Sequence, residues 1–151
     1  MDFCVNNREL LDTHIKALNS GNQFINHNNI TLTRVEADRA EGELLITPQS
    51  LNLHNIVHGG CLAALADTIS GSAVYAATGK LCVTVNYSMS FLRPATGKKV
   101  YCVARPQKVG RSLCVYETTL TDDNGRVVAA GVFTFYVLPD CEDTEQPSKP
   151  L

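Results

Sequence analysis

The chain has 151 residues, which suits one domain, and 44 % of them are hydrophobic, which is enough for a core without disulfides or metal ions. A net charge of −2 argues against a general nucleic-acid binder. No apolar run reaches the ~18 residues of a membrane span, and residues 1–7 lack a signal-peptide pattern. We therefore expect a cytoplasmic protein with no nucleic-acid or membrane partner.

The six cysteines do not predict a metal site or a disulfide scaffold. Their spacings are irregular and none forms a C-x-x-C pair. Cys82, Cys102 and Cys114 lie inside apolar runs, which is typical of small buried side chains in a reducing compartment. We expect neither a bound metal nor a cofactor.

The first third of the chain predicts one helix, two strands and a loop. Apolar residues recur at helical spacing over residues 7–20, and Gly21 follows as a stop. Residues 30–36 and 41–47 predict two strands around a polar turn at 38–40. The polar, irregular stretch 48–57 predicts a loop.

A long helix is predicted from Cys61 to Ala77. Its apolar residues face almost every direction and most are small, which is typical of a helix that is buried nearly all round. Gly79 supplies a stop signal.

The rest of the chain predicts four strands, because β-branched and aromatic residues are enriched. The predicted strands are Leu81–Leu92, Val100–Arg105, Ser112–Thr121 and Val127–Leu138, with turns at 94–97, 106–110 and 122–125. The acidic, proline-containing tail 140–151 predicts disorder. The element order predicts one α+β domain over residues 1–139, in which an antiparallel sheet of about six strands covers the long helix.

One carboxylate stands out in the predicted long helix. Between Glu43 and Glu117 the only acidic residue is Asp67, and burying a lone carboxylate is costly without a partner or a purpose. A purely structural role, as a loop cap or a hydrogen bond to a neighbouring strand, competes with a catalytic one. His58-Gly59-Gly60 opens the same helix, and the unpaired amides there suit a developing oxyanion.

The spacing of these two features has a consequence for assembly. Gly59 and Asp67 are eight residues apart, which is about 12 Å along a helix. A catalytic base and an oxyanion donor must both lie within about 3 Å of one reacting centre. We therefore expect two chains to pair, so that each site takes its glycine from one helix and its aspartate from the other.

Basic residues are concentrated in one region. Six of the thirteen Lys and Arg residues lie between Arg93 and Arg111, with no acidic residue among them. A solvated edge strand protected by lysines is one interpretation. The other is a phosphate-binding patch, in which the Gly110 amide and the Arg111 guanidinium hold one phosphate.

The combined motifs resemble those of a known family. The stretch Asn52-Leu-His-Asn-Ile-Val-His58-Gly-Gly60 followed by Leu65-Ala-Asp67 resembles the signature of the PaaI-type hotdog-fold acyl-CoA thioesterases. The similarity extends over residues 25–138. Further matching segments are Val83–Asn86, Phe91–Ala95, Gly110–Ser112 and Asp123–Ala129.

The resemblance implies a hotdog fold, an acyl-CoA substrate and a homodimer that often pairs into a tetramer. It implies that Asn52, His58 and the Gly59 amide of one chain act with Asp67 and Thr84 of another. The residues expected to contact substrate or coenzyme A are Gly60, Arg93, Lys108, Gly110 and Arg111.

Several alternatives stay open at this point. Asp67 is either a general base that activates water or a nucleophile that forms an anhydride. Cys61 as a nucleophile lacks a His–Asn partner pattern, and a zinc ion on His54 and His58 lacks the glutamate of an H-E-x-x-H motif. Hotdog folds also include enoyl-thioester hydratases, and an acyl-CoA-binding protein without catalysis is a third possibility. The identity of the acyl group is not readable from the sequence.

Overall fold

The computed structural model describes residues 8–140. Two helices come first, α1 (Arg8–Gly21) and α2 (Gln23–His27), followed by strands β1 (Ile30–Glu36) and β2 (Arg39–Leu45), and by a short 3-10 turn at Pro48–Ser50. The long helix α3 (Gly59–Thr78) follows. Four strands complete the fold: β3 (Cys82–Phe91), β4 (Lys99–Val109), β5 (Leu113–Thr121) and β6 (Val127–Val137).

This order confirms the predicted helix, two strands, long helix and four strands; α2 was not predicted. The first seven residues of the predicted domain lie outside the described residues, and so does the predicted disordered tail, except for Asp140.

All six strands form one antiparallel sheet in the order β1-β2-β4-β5-β6-β3. Helix α3 packs against one face of the sheet and contacts every strand of it. The buried side chains of alternate strand positions meet the helix, as Phe133 and Phe135 do on β6. The predicted α+β fold, with a long helix covered by a six-stranded antiparallel sheet, is confirmed.

Helix α3 forms the centre of the core. Eleven of its 20 residues are buried, and most of these are alanine or another small residue. It ends at Gly79, which has a left-handed backbone with φ of 70° and closes the helix by donating its N–H to Tyr75 O. By length and mean hydropathy (1.2) α3 could cross a membrane, but 61 % of that apolar stretch is buried within the protein.

Close approach between α3 and the sheet depends on Gly42 of β2. A Cβ atom at this position would overlap the side chain of Ile69 on α3 and lie 2.7 Å from the carbonyl oxygen of Thr31. Because the interior is close-packed, this helix–sheet distance requires glycine.

The predicted turn at 106–110 is wrong over most of its length, because β4 continues to Val109. Strand β4 pairs with β2 only as far as Ala104, so beyond that point one side of β4 has no neighbouring strand. Pro106 lacks an N–H, and a proline is tolerated in a strand on such an open side. A register shift between Pro106 and Lys108 absorbs the remaining mismatch with β5. The predicted turn at 38–40 is shifted too, since Arg39 and Ala40 already belong to β2.

The two edges of the sheet differ in chemistry. On β1, Arg34 forms ion pairs with Glu36 at 2.7 Å and with Glu41 at 3.5 Å. Strand β3, at the other edge, has ten residues and no charged residue. Its exposed side chains include Val83, Val85, Tyr87 and Phe91. Exposed sheet edges usually carry charges or are short, so an uncharged edge of this length is suited to pairing with another strand.

Candidate active site

The start of α3 leaves one backbone amide available. His58 is the N-cap residue, and its Nδ1 accepts a 2.9 Å hydrogen bond from the N–H of Gly60. The carbonyl of His58 accepts from the N–H groups of Cys61 and Leu62. Within residues 8–140 the N–H of Gly59 has no hydrogen-bond partner. Gly59 is therefore the amide that the helix N-terminus offers to a ligand oxygen, whereas the amide of Gly60 is already occupied.

The loop before α3 is held firmly, which fixes the position of Gly59. The N–H of His58 donates to Ser50 O at 2.8 Å, and that of Val57 donates to Ala95 O at 2.9 Å. Asn52 organises the intervening turn, since its Oδ1 accepts from the N–H groups of His54 and Ile56. The side-chain nitrogen of Asn52 makes no hydrogen bond within the described part of the chain, so it remains available as a donor.

Asp67 lies two turns further along α3 and is half-buried. The hydroxyl of Thr84 on β3 donates a 2.7 Å hydrogen bond to Oδ1 of Asp67. No Lys, Arg or His among residues 8–140 forms an ion pair with this carboxylate. The register of β3 against β6 shifts at Val85, directly after Thr84. Such bulges redirect neighbouring side chains, and they are common beside active sites.

Within one chain the two groups of residues line different cavities. Asp67 and Thr84 line a cavity of about 590 Å³ between α1, α3 and β3. Asn52 and Gly59 line a second one of about 350 Å³, together with Arg93. The chain by itself does not bring Gly59 and Asp67 to one shared cavity, which agrees with their separation of about 12 Å along the helix.

The residues expected to bind coenzyme A fall into two groups. Arg93 is exposed beside Gly59 and donates to Val127 O at 2.7 Å. Lys108, Gly110 and Arg111 lie at the connection between β4 and β5, and both cations are exposed. The expectation that the Gly110 amide holds a phosphate needs correction, because this N–H donates to Leu113 O at 3.0 Å to close the connection. Arg111 lines a further cavity of about 500 Å³ beside Lys80.

The thiol of Cys61 is not activated by its position at the start of α3. Burial raises its pKa, which keeps the thiol protonated at neutral pH. Cys82 lines the cavity that holds Asp67, and burial, followed by the charges of Cys114 and Asp67, raises its pKa to about 12. Neither residue has the low pKa of a cysteine nucleophile.

The N-terminal helices complete the wall of the larger cavity, with His14 and Leu18 from α1 and Phe24 and Ile25 from α2. Local sequence patterns do not indicate which of these side chains face inward, because that depends on how α1 and α2 pack against the rest of the fold.

Comparison with known proteins agrees with the fold. The family model of the thioesterase superfamily matches residues 54–129, which span the start of α3, Asp67 and Thr84. The chain therefore belongs to the thioesterase superfamily.

Three relatives illustrate the similarity. The proofreading thioesterase EntH of Klebsiella pneumoniae is 32 % identical over 116 residues, which is 74 % of this chain and 85 % of the relative. The E. coli PaaI protein of the phenylacetic acid degradation operon has a TM-score of 0.79 at 22 % identity, covering 87 % of this chain and 95 % of PaaI. A hypothetical thioesterase of Streptococcus pneumoniae solved with coenzyme A has a TM-score of 0.68 at 27 % identity, covering 73 % of this chain and 86 % of that one. The protein is a thioester hydrolase with the hotdog fold.

Proposed function

We propose that the protein hydrolyses acyl-CoA thioesters to a free acid and coenzyme A, at two sites that are each shared by two copies of the chain. The observation that carries this proposal is the unpaired N–H of Gly59 at the start of α3, combined with the Asp67–Thr84 pair two turns later. In each site the Gly59 amide and Asn52 come from one chain, and Asp67 and Thr84 come from the other.

The Gly59 N–H donates to the thioester carbonyl oxygen and stabilises the negative charge that develops there. Thr84 occupies Oδ1 of Asp67, so Oδ2 faces the reaction. As a general base, Asp67 takes a proton from water while the water oxygen attacks the carbonyl carbon. The carbon–sulfur bond then breaks and the thiolate of coenzyme A leaves, taking up a proton.

The same geometry serves a nucleophilic Asp67. In that case Oδ2 attacks the carbonyl carbon, the thiolate leaves and water opens the resulting anhydride. A single turnover in oxygen-labelled water tests the nucleophilic route. Label in the Asp67 carboxylate indicates the nucleophile, with water opening the anhydride at the aspartyl carbon. Label in the released acid alone fits the general base and also an anhydride opened at its acyl carbon.

Strand β3 is the edge through which two chains pair. It is uncharged and exposes several apolar side chains, whereas β1 carries ion pairs. When two β3 strands pair about a twofold axis they run antiparallel, and the α3 helices behind them run antiparallel as well. The start of one α3 then lies beside the middle of the other, which brings Gly59 of one chain toward Asp67 of the second.

A dimer of dimers is supported by a second apolar surface. On the sheet face that points away from α3, Val83, Tyr136 and Leu113 are neighbours in register across β3, β6 and β5, and all three are exposed. An exposed apolar patch of this kind is typical of an interaction surface. Sedimentation equilibrium distinguishes a tetramer from a dimer.

Coenzyme A contacts are assigned to three exposed cations, of which Arg93 lines the cavity of Gly59 and Arg111 lines the separate cavity beside Lys80. Arg93 lies beside Gly59, and Lys108 and Arg111 lie at the β4–β5 connection. Exposed cationic side chains attract phosphates. The S. pneumoniae relative with coenzyme A supports this class of ligand.

The cytoplasm is the proposed compartment. The four cysteines of the described residues, Cys61, Cys82, Cys102 and Cys114, are free thiols. Free cysteines are common where the environment is reducing.

The decisive experiment measures thiol release from a panel of acyl-CoA thioesters with a thiol reagent. We expect release by the wild-type protein and a loss of at least about 100-fold in kcat for Asp67→Asn, which keeps the shape of the side chain but not its charge. Binding without thiol release would instead support an acyl-CoA-binding protein. Water addition to an enoyl-CoA without thiol release would support a hydratase.

A further inference from the structure

Two contacts between helix α3 and the edge strand β3 mark the two halves of the proposed site. Near the start of β3, Thr84 donates its hydroxyl to Asp67. At the other end of the strand, the Phe91 ring lies against Gly59, where a Cβ atom would meet its Cε1 at 3.4 Å. Both side chains therefore point to the sheet face that carries α3. Gly59 of one chain comes closest to Asp67 of the other when Phe91 of the first lies opposite Thr84 of the second.

The backbone of β3 alternates between its neighbour β6 and the free edge. The N–H of Leu92 donates to Val128 O at the start of β6. Because backbone direction alternates along a strand, the even-numbered residues 86–90 also direct their N–H and C=O groups toward β6. The odd-numbered residues 87–91 direct theirs to the free edge, where a strand of a second chain can bind them.

The register shift at Val85 gives Thr84 the same direction as Phe91. On the far side of the shift, the carbonyl of Leu81 accepts from the N–H of Leu138, so Thr84 directs its backbone groups to the free edge. The extra residue exchanges the odd and even positions. Thr84 and Phe91 thus agree in both respects, with the side chain toward α3 and the backbone toward a second chain.

We propose that two β3 strands pair with Ser88 on the twofold axis. This inference rests on the proposed function, since the register is the one that completes the shared site. Counting inward from Phe91 opposite Thr84, with Val85 left unpaired as the extra residue, the strands meet at Ser88, which lies opposite itself. The remaining opposed pairs, with one residue from each chain, are Met89 with Tyr87 and Ser90 with Asn86.

This register gives the exposed aromatic residues of β3 a position in the shared site. Within one chain Tyr87 is 51 % exposed and Phe91 is 54 % exposed. In the paired strands Tyr87 lies beside Met89 of the partner subunit, a cross-strand contact on the face toward α3. The Phe91 ring lies between Gly59 of its own chain and Thr84 of the partner subunit. Phe91 is therefore a wall of the shared site that both chains need.

The neighbouring registers obey the same backbone rules but separate the two halves of the site. They place Tyr87 or Met89 on the axis, and Phe91 then lies opposite Cys82 or Tyr87 instead of Thr84. Each displaces the two halves by about 7 Å, the length of two strand residues. A shift by a single residue is excluded, because opposed side chains would then point to different faces of the sheet.

Disulfide trapping tests the register. Asn86, Ser88 and Ser90 are exposed and point away from α3, and their backbone groups point away from the second chain. Opposed residues of this kind have Cα atoms about 4.5 Å apart, which is within disulfide reach. Ser88→Cys should therefore form a linked dimer on mild oxidation, seen on a non-reducing gel and assigned by mass spectrometry. Wild-type protein treated in the same way is the blank for the six native cysteines.

Two further variants provide matched controls. In the proposed register Ser90 lies opposite Asn86, so each of these residues is about 13 Å along the strands from its own copy, too far for a disulfide. Ser90→Cys alone and Asn86→Cys alone should therefore stay unlinked. Co-refolding the two variants in equal amounts should produce the linked dimer.

The trapped dimer should also be active, because the side chain of Ser88 lies on the face away from α3. Hydrolysis is followed by the loss of thioester absorbance, which needs no thiol reagent. Oxidised and reduced Ser88→Cys protein should differ by less than about twofold in kcat/KM.

The outcomes separate the register from the proposed function. If Ser88→Cys alone stays unlinked but links to Asn86→Cys or to Ser90→Cys in a co-refolded mixture, a neighbouring register is correct and the hydrolase stands. Loss of hydrolysis on oxidation of Ser88→Cys, with recovery on reduction, also overturns the register. A wild-type protein that releases thiol from no acyl-CoA overturns the proposed function and this inference with it.

Discussion

The hydroxyl of Thr84 on β3 donates a 2.7 Å hydrogen bond to Oδ1 of Asp67 on α3. This bond joins the edge strand of the sheet to the central helix at the proposed reacting group. It occupies one carboxylate oxygen and leaves Oδ2 without a hydrogen bond within residues 8–140, so Oδ2 is free for water or the thioester carbon.

Replacing Thr84 with valine removes this hydroxyl and keeps the size of the side chain. We expect kcat to fall about 10- to 100-fold with a smaller change in KM, because the carboxylate loses its fixed orientation. Thr84→Ser is the matched control and should recover most of the rate. Equal kcat in the valine and serine variants would show that the hydroxyl does not position Asp67.

The Gly59 amide can be removed without altering the helix. Gly59 is the first residue of α3, a position where proline is favourable. The preceding residue, His58, has φ of −61° and ψ of 135°, which a residue before proline adopts readily. A Cβ atom at Gly59 would meet the Phe91 ring at 3.4 Å, an ordinary contact.

Gly59→Pro should therefore fold and lose about 10²- to 10³-fold in kcat, the usual cost of one oxyanion donor. Gly59→Ala keeps the N–H and serves as control, with a much smaller loss. If the two variants hydrolyse acyl-CoA equally well, the amide is not the oxyanion donor.

Cys61 is expected to be dispensable for thioester hydrolysis. Its raised pKa means that the reactive thiolate forms only as the pH rises above the ordinary value for cysteine. Iodoacetamide labelling of the Cys61 peptide, followed by mass spectrometry, should still accelerate between pH 9 and pH 10. Cys61→Ser should keep kcat/KM within about threefold of wild type. A loss of activity as large as that of Asp67→Asn would instead indicate that Cys61 is the nucleophile.

Gly42 should tolerate no side chain. Gly42→Ala places a methyl group against Ile69 and Thr31 O, and overpacking of this kind costs about 1–3 kcal/mol. Urea unfolding should show a lower midpoint with an unchanged slope. Gly21→Ala is the control, because a Cβ there has no neighbour within 4 Å, and an equal loss of stability in both would contradict the packing argument.

The sequence predicts the fold better than it predicts the details of the site. Helix α3 and five of the six strands follow closely from local patterns, since small apolar residues and Gly79 define the helix and β-branched runs define the strands. Pro106 misled the prediction for β4, because its tolerance depends on where the neighbouring strand β2 ends, which is a tertiary property.

The same limit applies to individual site residues. The distance between Gly59 and Asp67 could be predicted from helix geometry alone. The sequence could not predict which backbone amides remain free to bind a ligand. The N–H of Gly60 is occupied by the side chain of His58, and the N–H of Gly110 is occupied by the carbonyl of Leu113. The contact between His14 and Tyr75 joins two helices far apart in sequence, and no local pattern encodes it.

Mixing two inactive variants tests the shared site most directly. Asp67→Asn and Gly59→Pro are co-refolded in equal amounts, so about half of the dimers contain one chain of each kind. Each mixed dimer has one site with an intact Asp67 from one chain and an intact Gly59 from the other, and one site with neither. We expect the mixture to recover about one quarter of wild-type thioesterase activity, while each variant alone stays inactive. Activity of the mixture no higher than the average of the two variants would contradict a site built from two chains.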